Sequence, residues 1–520
     1  MTMTETTRRT LLRVGAGLSA VGAASSVFGL QLATMSAASA QSATPDYKAL
    51  VCVFMLGGND SNNMLLATDQ QSWSRYFAAR TTGGDPIALM PPGSAATPIG
   101  QISTVTGRTA SATSPEAWGG VLPITPNTPN PVPPGTDSSS RTFAIHPFMG
   151  DLLPIWQAGR LAMIANVGTL IRPITRAQFA NQSVPVPRAL MSHNDQQSTW
   201  QSGGIEGARV GWGGQMADQL FSANGDNAVF TAISTAGNAV FLAGNNIVQY
   251  QVNTNPAMPA IAINGLNGGG GFGSPNLGAR LEQLVRDTSN ASYFAKDLGA
   301  RTARSIDSSS DLNGAFATTD VQAVPMPTPL GNPLTGEAQT NPLAMQLATV
   351  ARAIVAARTL GVRRQVFFVA IGGFDTHNDE NGVHPVHMAR IAHAFSYFDA
   401  ALGNVAGVDL RANVTTFTAS DFSRTFTQNN DGTDHAWGAH HMVMGGAVRG
   451  RDIYGQYPTL GVDQGSFQNP DQVINSFIPT LSVDQYAATL GRWFGISNSA
   501  LTEIFPNLGN FAAPPNFMNT

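Results

Sequence analysis

The chain has 520 residues, a formal net charge of −4 and only 12% charged side chains. Lys48 and Lys296 are its only lysines, and no basic patch interleaved with aromatic residues occurs, which excludes the electrostatic footprint of a nucleic-acid binder. The lone cysteine, Cys52, excludes an internal disulfide, while 54 Gly and 32 Pro put much of the chain in loops.

Residues 1–40 read as an address. Thr7-Arg8-Arg9-Thr10-Leu11-Leu12-Arg13 is a twin-arginine pattern, followed by a stretch rich in Gly and Ala and by Ala38-Ser39-Ala40, a small-x-small cleavage site. The competing reading is a membrane anchor, but Gly, Ser and Ala dilute residues 14–37 below what a span of about 20 apolar residues needs. The expectation is a periplasmic or secreted protein with no stable membrane span after cleavage. The pathway carries folded proteins, often with a metal already loaded.

Residues 41–520 are expected to form a single α/β domain. The apolar run 48–56 reads as a buried strand that stops at Gly57-Gly58-Asn59-Asp60. Residues 85–140 are dense in Pro, Gly, Ser and Thr and read as an insertion. Further buried strands are expected at 160–167, 364–371 and 413–419, with another candidate at 441–448. A second insertion is expected near 265–340, with one helix around 278–300. Helices are expected at 342–360 and at 384–402, where Met388, Ile391, Phe395, Phe398 and Leu402 recur at three- and four-residue steps. A helix directly before the strand at 364 implies a mostly parallel sheet.

Three of these strands deliver an acid just past their carboxyl ends: Asp60, Asp375 and Asp421. In open α/β sheets that edge is where ligands bind. Gathered carboxylates repel one another unless a positive charge lies between them. Most of the nine histidines stand beside these acids or in short motifs, including MSHND (191–195), FDTH (374–377) and TDHAWGAHH (433–441). Asp with His suits zinc, manganese or iron; oxygen-only ligation would suit magnesium or calcium. Against this stands the ordinary use of Asp and His as turn and helix caps. Ser192 is a nucleophile candidate, with Thr199 as competitor, yet Ser192 and Asp195 also match a capping box. Arg424 suits a phosphate or sulfate oxygen, or a neighbouring carboxylate. Asn59 is placed to orient an oxyanion.

The leader, GGND after the first strand, SHND, GWGGQMAD (211–218), FDTHND, SDFSRT and GTDHAWGAHHMVMGGAVRG (432–450) together resemble the exported bacterial domain-of-unknown-function family numbered fifteen hundred and one. That family is similar to the alkaline phosphatase and sulfatase superfamily. The resemblance implies a doubly wound three-layer α/β/α core, alkaline phosphatase-like, with long loop insertions and a site for one or two divalent ions. It would put Asp60, Asp421 and Ser192 on one metal, and Asp375, His377 and His435 on the other. Two departures stand out: the superfamily's Asp-His pair is Asp421-Phe422 here, and the Asp375–His377 spacing is short.

The function expected is metal-dependent hydrolysis of a phosphate or sulfate ester on a small molecule or glycan. Ser192 would attack, Asn59 and Arg424 would assist, and Asp60, Asp375, His377, Asp421 and His435 would bind metal, zinc first among the ions named. The alternative is a non-catalytic exported protein that keeps the fold for binding or surface assembly.

Overall fold

The computed structural model describes residues 47–130, 141–254, 277–287, 289, 292–405 and 407–519. The expected signal, residues 1–40, lies outside them, as do parts of both expected insertions.

Nine strands of the described residues form the main sheet: β1 (Lys48–Met55), β2 (Leu161–Gly168), β3 (Ala232–Ser234), β4 (Tyr250–Gln251), β5 (Arg364–Ile371), β6 (Val414–Ser420), β7 (Ala439–Met444), β8 (Ile453–Tyr454) and β9 (Leu481–Ser482). Their order is β8-β2-β7-β6-β1-β5-β3-β4, with β9 added to β2. Only β7 runs antiparallel to its neighbours; the other pairings are parallel. The central strands are buried along nearly their whole length. That is why they read as continuous apolar runs instead of alternating ones.

Alternate residues of β1 enter opposite layers. Ala49, Val51, Val53 and Met55 pack in one core cluster, and Leu50, Cys52 and Phe54 in another, as the two-residue period of a strand requires. Six helices matter below: α1 (Gln70–Ala79), α2 (His193–Ser202), α3 (Trp212–Leu220), α4 (Pro342–Leu360), α5 (Glu380–Gly403) and α6 (Val483–Phe494). Leu343 and Leu347 of α4 and Met388 and Ile391 of α5 join the first cluster. Trp212 and Met216 of α3 and Tyr486 and Leu490 of α6 join the second. Helices therefore cover both faces of the sheet.

Local chemistry sets the ends of these helices. Asn341 accepts from the Leu343 and Ala344 backbone N–H groups, Pro342 occupies the first turn, and Gly361 closes α4 at φ 67°. Helix α4 has the length and apolarity of a membrane span, but it lies mostly buried against the core. Ser482 and Gln485 form a reciprocal capping box on α6.

The insertions carry more structure than their composition suggests. Leu122–Ile124 pairs with Phe143–Ile145, which pairs in turn with Leu65–Ala67. In place of one helix near 278–300 there are two, Leu277–Val285 and Tyr293–Phe316. Leu312, Ala315 and Phe316 of the longer one are buried in the same cluster as α4.

Candidate metal centre

In-register pairing brings the chemistry to one edge. Met55 lies beside Ile371 on one side and Ser420 on the other, so β1, β5 and β6 end level. Asp421 comes one residue past that line, Asp375 four and Asp60 five. These offsets send the three carboxylates to different places.

Asp421 is buried, and its Oδ2 accepts from the Gly57 backbone N–H at 3.2 Å, Gln197 Nε2 at 2.9 Å and His193 Nδ1 at 2.7 Å. Its Oδ1 has no hydrogen-bond partner among the described residues. His193 and Gln197 are four residues apart on α2 and so share one face of the helix. Gly57 sits at φ 115°, and a Cβ there would lie 2.4 Å from the Asp375 nitrogen. Only glycine lets β1 turn this close to the loop that bears Asp375.

Asp375 faces four cationic or imidazole groups. Its Oδ1 lies 2.8 Å from Arg424 Nη1, 3.2 Å from His377 Nε2 and 3.4 Å from His435 Nε2, and its Oδ2 lies 3.4 Å from His193 Nε2. Partial burial pushes this carboxyl up, but the hydrogen bond and charge of Arg424, with His193 and His377, hold it below its ordinary value.

The three imidazoles are each held from behind. His193 Nδ1 meets Asp421, His435 Nδ1 lies 2.7 Å from the Met191 carbonyl oxygen, and His377 Nδ1 lies 3.2 Å from Asp434 Oδ1. All three partners are acceptors, which assigns the proton of each neutral ring to Nδ1 and the lone pair to Nε2. Met191 reaches its position with φ 68°, and Ala189 with φ 49°, a left-handed backbone that costs a side-chain-bearing residue roughly 1–2 kcal/mol. The Asp421 hydrogen bond raises the His193 pKa. Burial lowers that of His435, as do the charges of Arg424, His193 and His377.

Ligand atoms of His193, Asp375 and His435 all lie within 4.8 Å of one another. His377 Nε2 adds a fourth donor, 2.9 Å from His435 Nε2. Nitrogen lone pairs converging on a carboxylate, each ring fixed through its other nitrogen, are a donor set with the outer support that metal-ligating histidines have. The residues fit a divalent ion.

The other expected residues hold different partners, and Asp60 and Asn59 stand apart from the group. Asp60 is fully buried in an ion pair with Arg80, the residue that follows α1: Nη2 lies 2.9 Å from Oδ1, and Nη1 bonds Oδ2. Burial would raise the Asp60 pKa, but Arg80 outweighs it and the carboxyl ends below its ordinary value. Glu380 lies in the same buried layer, its pKa pushed up to about 8 by burial and the Asp60 charge. Asn59 accepts from His384 Nε2 at 3.1 Å and donates to Met64 Sδ, away from the His/Asp group. Arg424 is buried and engaged with Asp375, Gly57 and Thr433. Ser192 donates to Asp195 Oδ2 at 2.8 Å. His440 stacks on Tyr457 and His441 on Tyr486, on opposite sides of β7, and neither contacts a residue of the group.

His193 was not among the expected ligands. The signal was in MSHND itself, where the histidine opens the helix and Ser192 stands at the N-cap position without a side-chain capping bond. The Phe422 ring lies against two of the imidazoles, 4.9 Å from His193 and 4.7 Å from His435.

Fold and site together define an α/β protein with a His/Asp group at the carboxyl edge of a largely parallel sheet. Residues 272–505 match the family model described as Protein of unknown function (DUF1501). The matched stretch holds Asp375, His377, Asp421, Arg424 and His435, but neither Asp60 nor His193. No curated protein matches the chain in sequence.

Proposed function

We propose that the protein is an exported, metal-dependent hydrolase of phosphate or sulfate esters, with a core of the alkaline phosphatase and sulfatase type. The observation that carries this reading is the convergence of His193, His377 and His435 Nε2 on the Asp375 carboxylate. These four hold the ion, and Asp421, Asp434 and the Met191 carbonyl keep the rings in place. A divalent ion bound there supplies Lewis-acid polarisation of an ester oxygen and lowers the pKa of a hydroxyl or water. Arg424 balances the charge of Asp375 from below. Ser192 is the nucleophile, and Asp195, which already accepts its hydrogen bond, is the carboxylate placed to receive its proton. The twin-arginine pattern in residues 7–13 supports export.

The test is metal analysis of protein taken from its own export route, followed by a panel of phosphate and sulfate monoesters. Stoichiometric metal with turnover, and turnover lost but metal kept in Ser192→Ala, is the expected result. One observation favours a second reading: Phe422 stands against two of the imidazoles where a further ligand would be. Metal-replete protein inert to the whole panel would support a non-catalytic binding or surface-assembly role.

A further inference from the structure

Helix α2 has a second face. His193 and Gln197 turn toward Asp421, whereas Thr199 and the residue after the helix, Gly203, line a separate cavity of about 280 Å³. Its apolar walls are Leu170, Ile171, Pro187, Ile205 and Val483, and its polar lining includes Arg188 and Asp484. None of the residues of the His/Asp group borders it.

The two charged residues are unusual in what they lack. Arg188 is exposed, and its guanidinium makes no hydrogen bond or ion pair among the described residues. Asp484 sits in the first turn of α6, and its carboxyl accepts the Asn507 backbone N–H, but its Oδ2 is buried without any partner. Burial pushes this carboxyl up to about 7, in spite of the Asn507 bond and a position at the helix N-terminus that ordinarily favours the charged form. A buried carboxyl left half-satisfied is costly unless a donor reaches it. A cation from outside is the donor that removes most of that cost.

We propose that this cavity binds a small zwitterion with an apolar body, of the amino-acid class, its ammonium on Asp484, its carboxylate on Arg188 and its side chain against Leu170, Ile171, Pro187, Ile205 and Val483. An arginine, a carboxyl and apolar residues in one lining match such a ligand better than a simple amine or a simple acid, either of which would leave Arg188 or Asp484 unanswered. The cavity lies at the lower edge of the roughly 300–1,000 Å³ typical of small-molecule sites, which limits the ligand to amino-acid size.

The site is independent of the metal reading, and the experiment keeps the two apart. Calorimetric titrations of the full mature protein use three probes: L-leucine, 3-methylbutylamine and 4-methylpentanoate. They are run after chelation, so that leucine cannot register by ligating a metal, and again in His435→Ala. Leucine is expected to bind in both, at least about tenfold more tightly than either half-probe. Asp484→Asn should weaken leucine and the amine while sparing the acid. Arg188→Gln, at an exposed position with no bond to lose, should weaken leucine and the acid while sparing the amine. Absence of leucine binding to chelated, folded wild-type protein would overturn the proposal. So would leucine affinity unchanged in both variants.

Discussion

His377 and His435 face each other through their Nε2 atoms at 2.9 Å, although each has its Nδ1 on an acceptor, Asp434 in one case and the Met191 carbonyl in the other. Two neutral rings held in this way present lone pair to lone pair, an arrangement that needs a proton or a metal between them. Tetrahedral bonds of about 2.05 Å to one ion would set the nitrogens roughly 3.3 Å apart, close to the separation observed. His193→Ala, Asp375→Ala and His435→Ala should therefore each abolish stoichiometric zinc binding in a competition titration with a chromophoric chelator. His440→Ala should leave it intact, since that ring is buried on Tyr457 and lowered to about 3 by burial. Full occupancy in His435→Ala would refute the arrangement.

Asp421 acts on the group through His193. Its carboxylate is buried, bonds Nδ1 of that ring at 2.7 Å and leaves Nε2 toward Asp375. Outer carboxylates of this kind are worth about 10–100-fold in metal affinity. Asp421→Asn keeps an acceptor oxygen but loses the charge, so zinc affinity should fall within that range without vanishing. A variant that binds no zinc at all would instead make Asp421 a direct ligand.

Asp60 and Arg80 form an ion pair with no solvent exposure at either side chain. Removing one member of such a pair strands the other charge and typically costs about 3–5 kcal/mol. Asp60→Ala should lower the unfolding free energy by that order in urea titration. Asp60→Asn should retain zinc, because the carboxylate it replaces is occupied by Arg80. Loss of zinc without loss of stability would return Asp60 to the metal site.

What the sequence disclosed and what it withheld divide along physical lines. The strands at 48–56, 364–371 and 413–419 are legible because strands buried on both faces need unbroken apolar runs. Helix 342–360 is legible because Leu343, Leu347, Val350, Ile354 and Val355 recur on one face. An acid after a strand reports only that it stands at the edge. Whether it meets a metal, as Asp375 is placed to do, or an arginine, as Asp60 does, depends on a partner brought in by tertiary packing. Arg80 lies twenty positions from Asp60 at the end of a helix, and no spacing rule connects them. His193 was hidden for another reason. Its motif reads equally well as a helix cap, and only the four-residue step to Gln197, with both side chains on Asp421, distinguishes the two.

The buried histidines make stability depend on pH with a definite sign. Burial lowers His146, and takes His384 and His387 to about 4 and His440 and His441 to about 3. Below about pH 6.5 the unfolded chain takes up protons that these folded rings refuse, so acid favours unfolding. Two carboxyls oppose the trend. Glu380, raised to about 8, and Asp484, raised to about 7, are protonated in the folded protein where their unfolded counterparts are ionised, so each adds stability as pH falls toward its unfolded value. His193, raised by Asp421, likewise favours the folded state on acidification, and loses that contribution as pH rises through its folded pKa. His393 and His435 are lowered as well, and these seven histidines outnumber the three opposing groups, so the net effect of acid is destabilising. Each histidine left unopposed should contribute on the order of 1.4 kcal/mol per pH unit. Urea titrations of chelated protein at about pH 7, 6 and 5 should show the unfolding free energy falling at each step. His441→Gln should flatten the profile by roughly one histidine's share. A profile that is level, or that rises on acidification, would mean that the His146, His384, His387, His440 and His441 rings are charged in the folded protein, and would remove the basis for treating His440 and His441 as neutral core residues outside the metal centre.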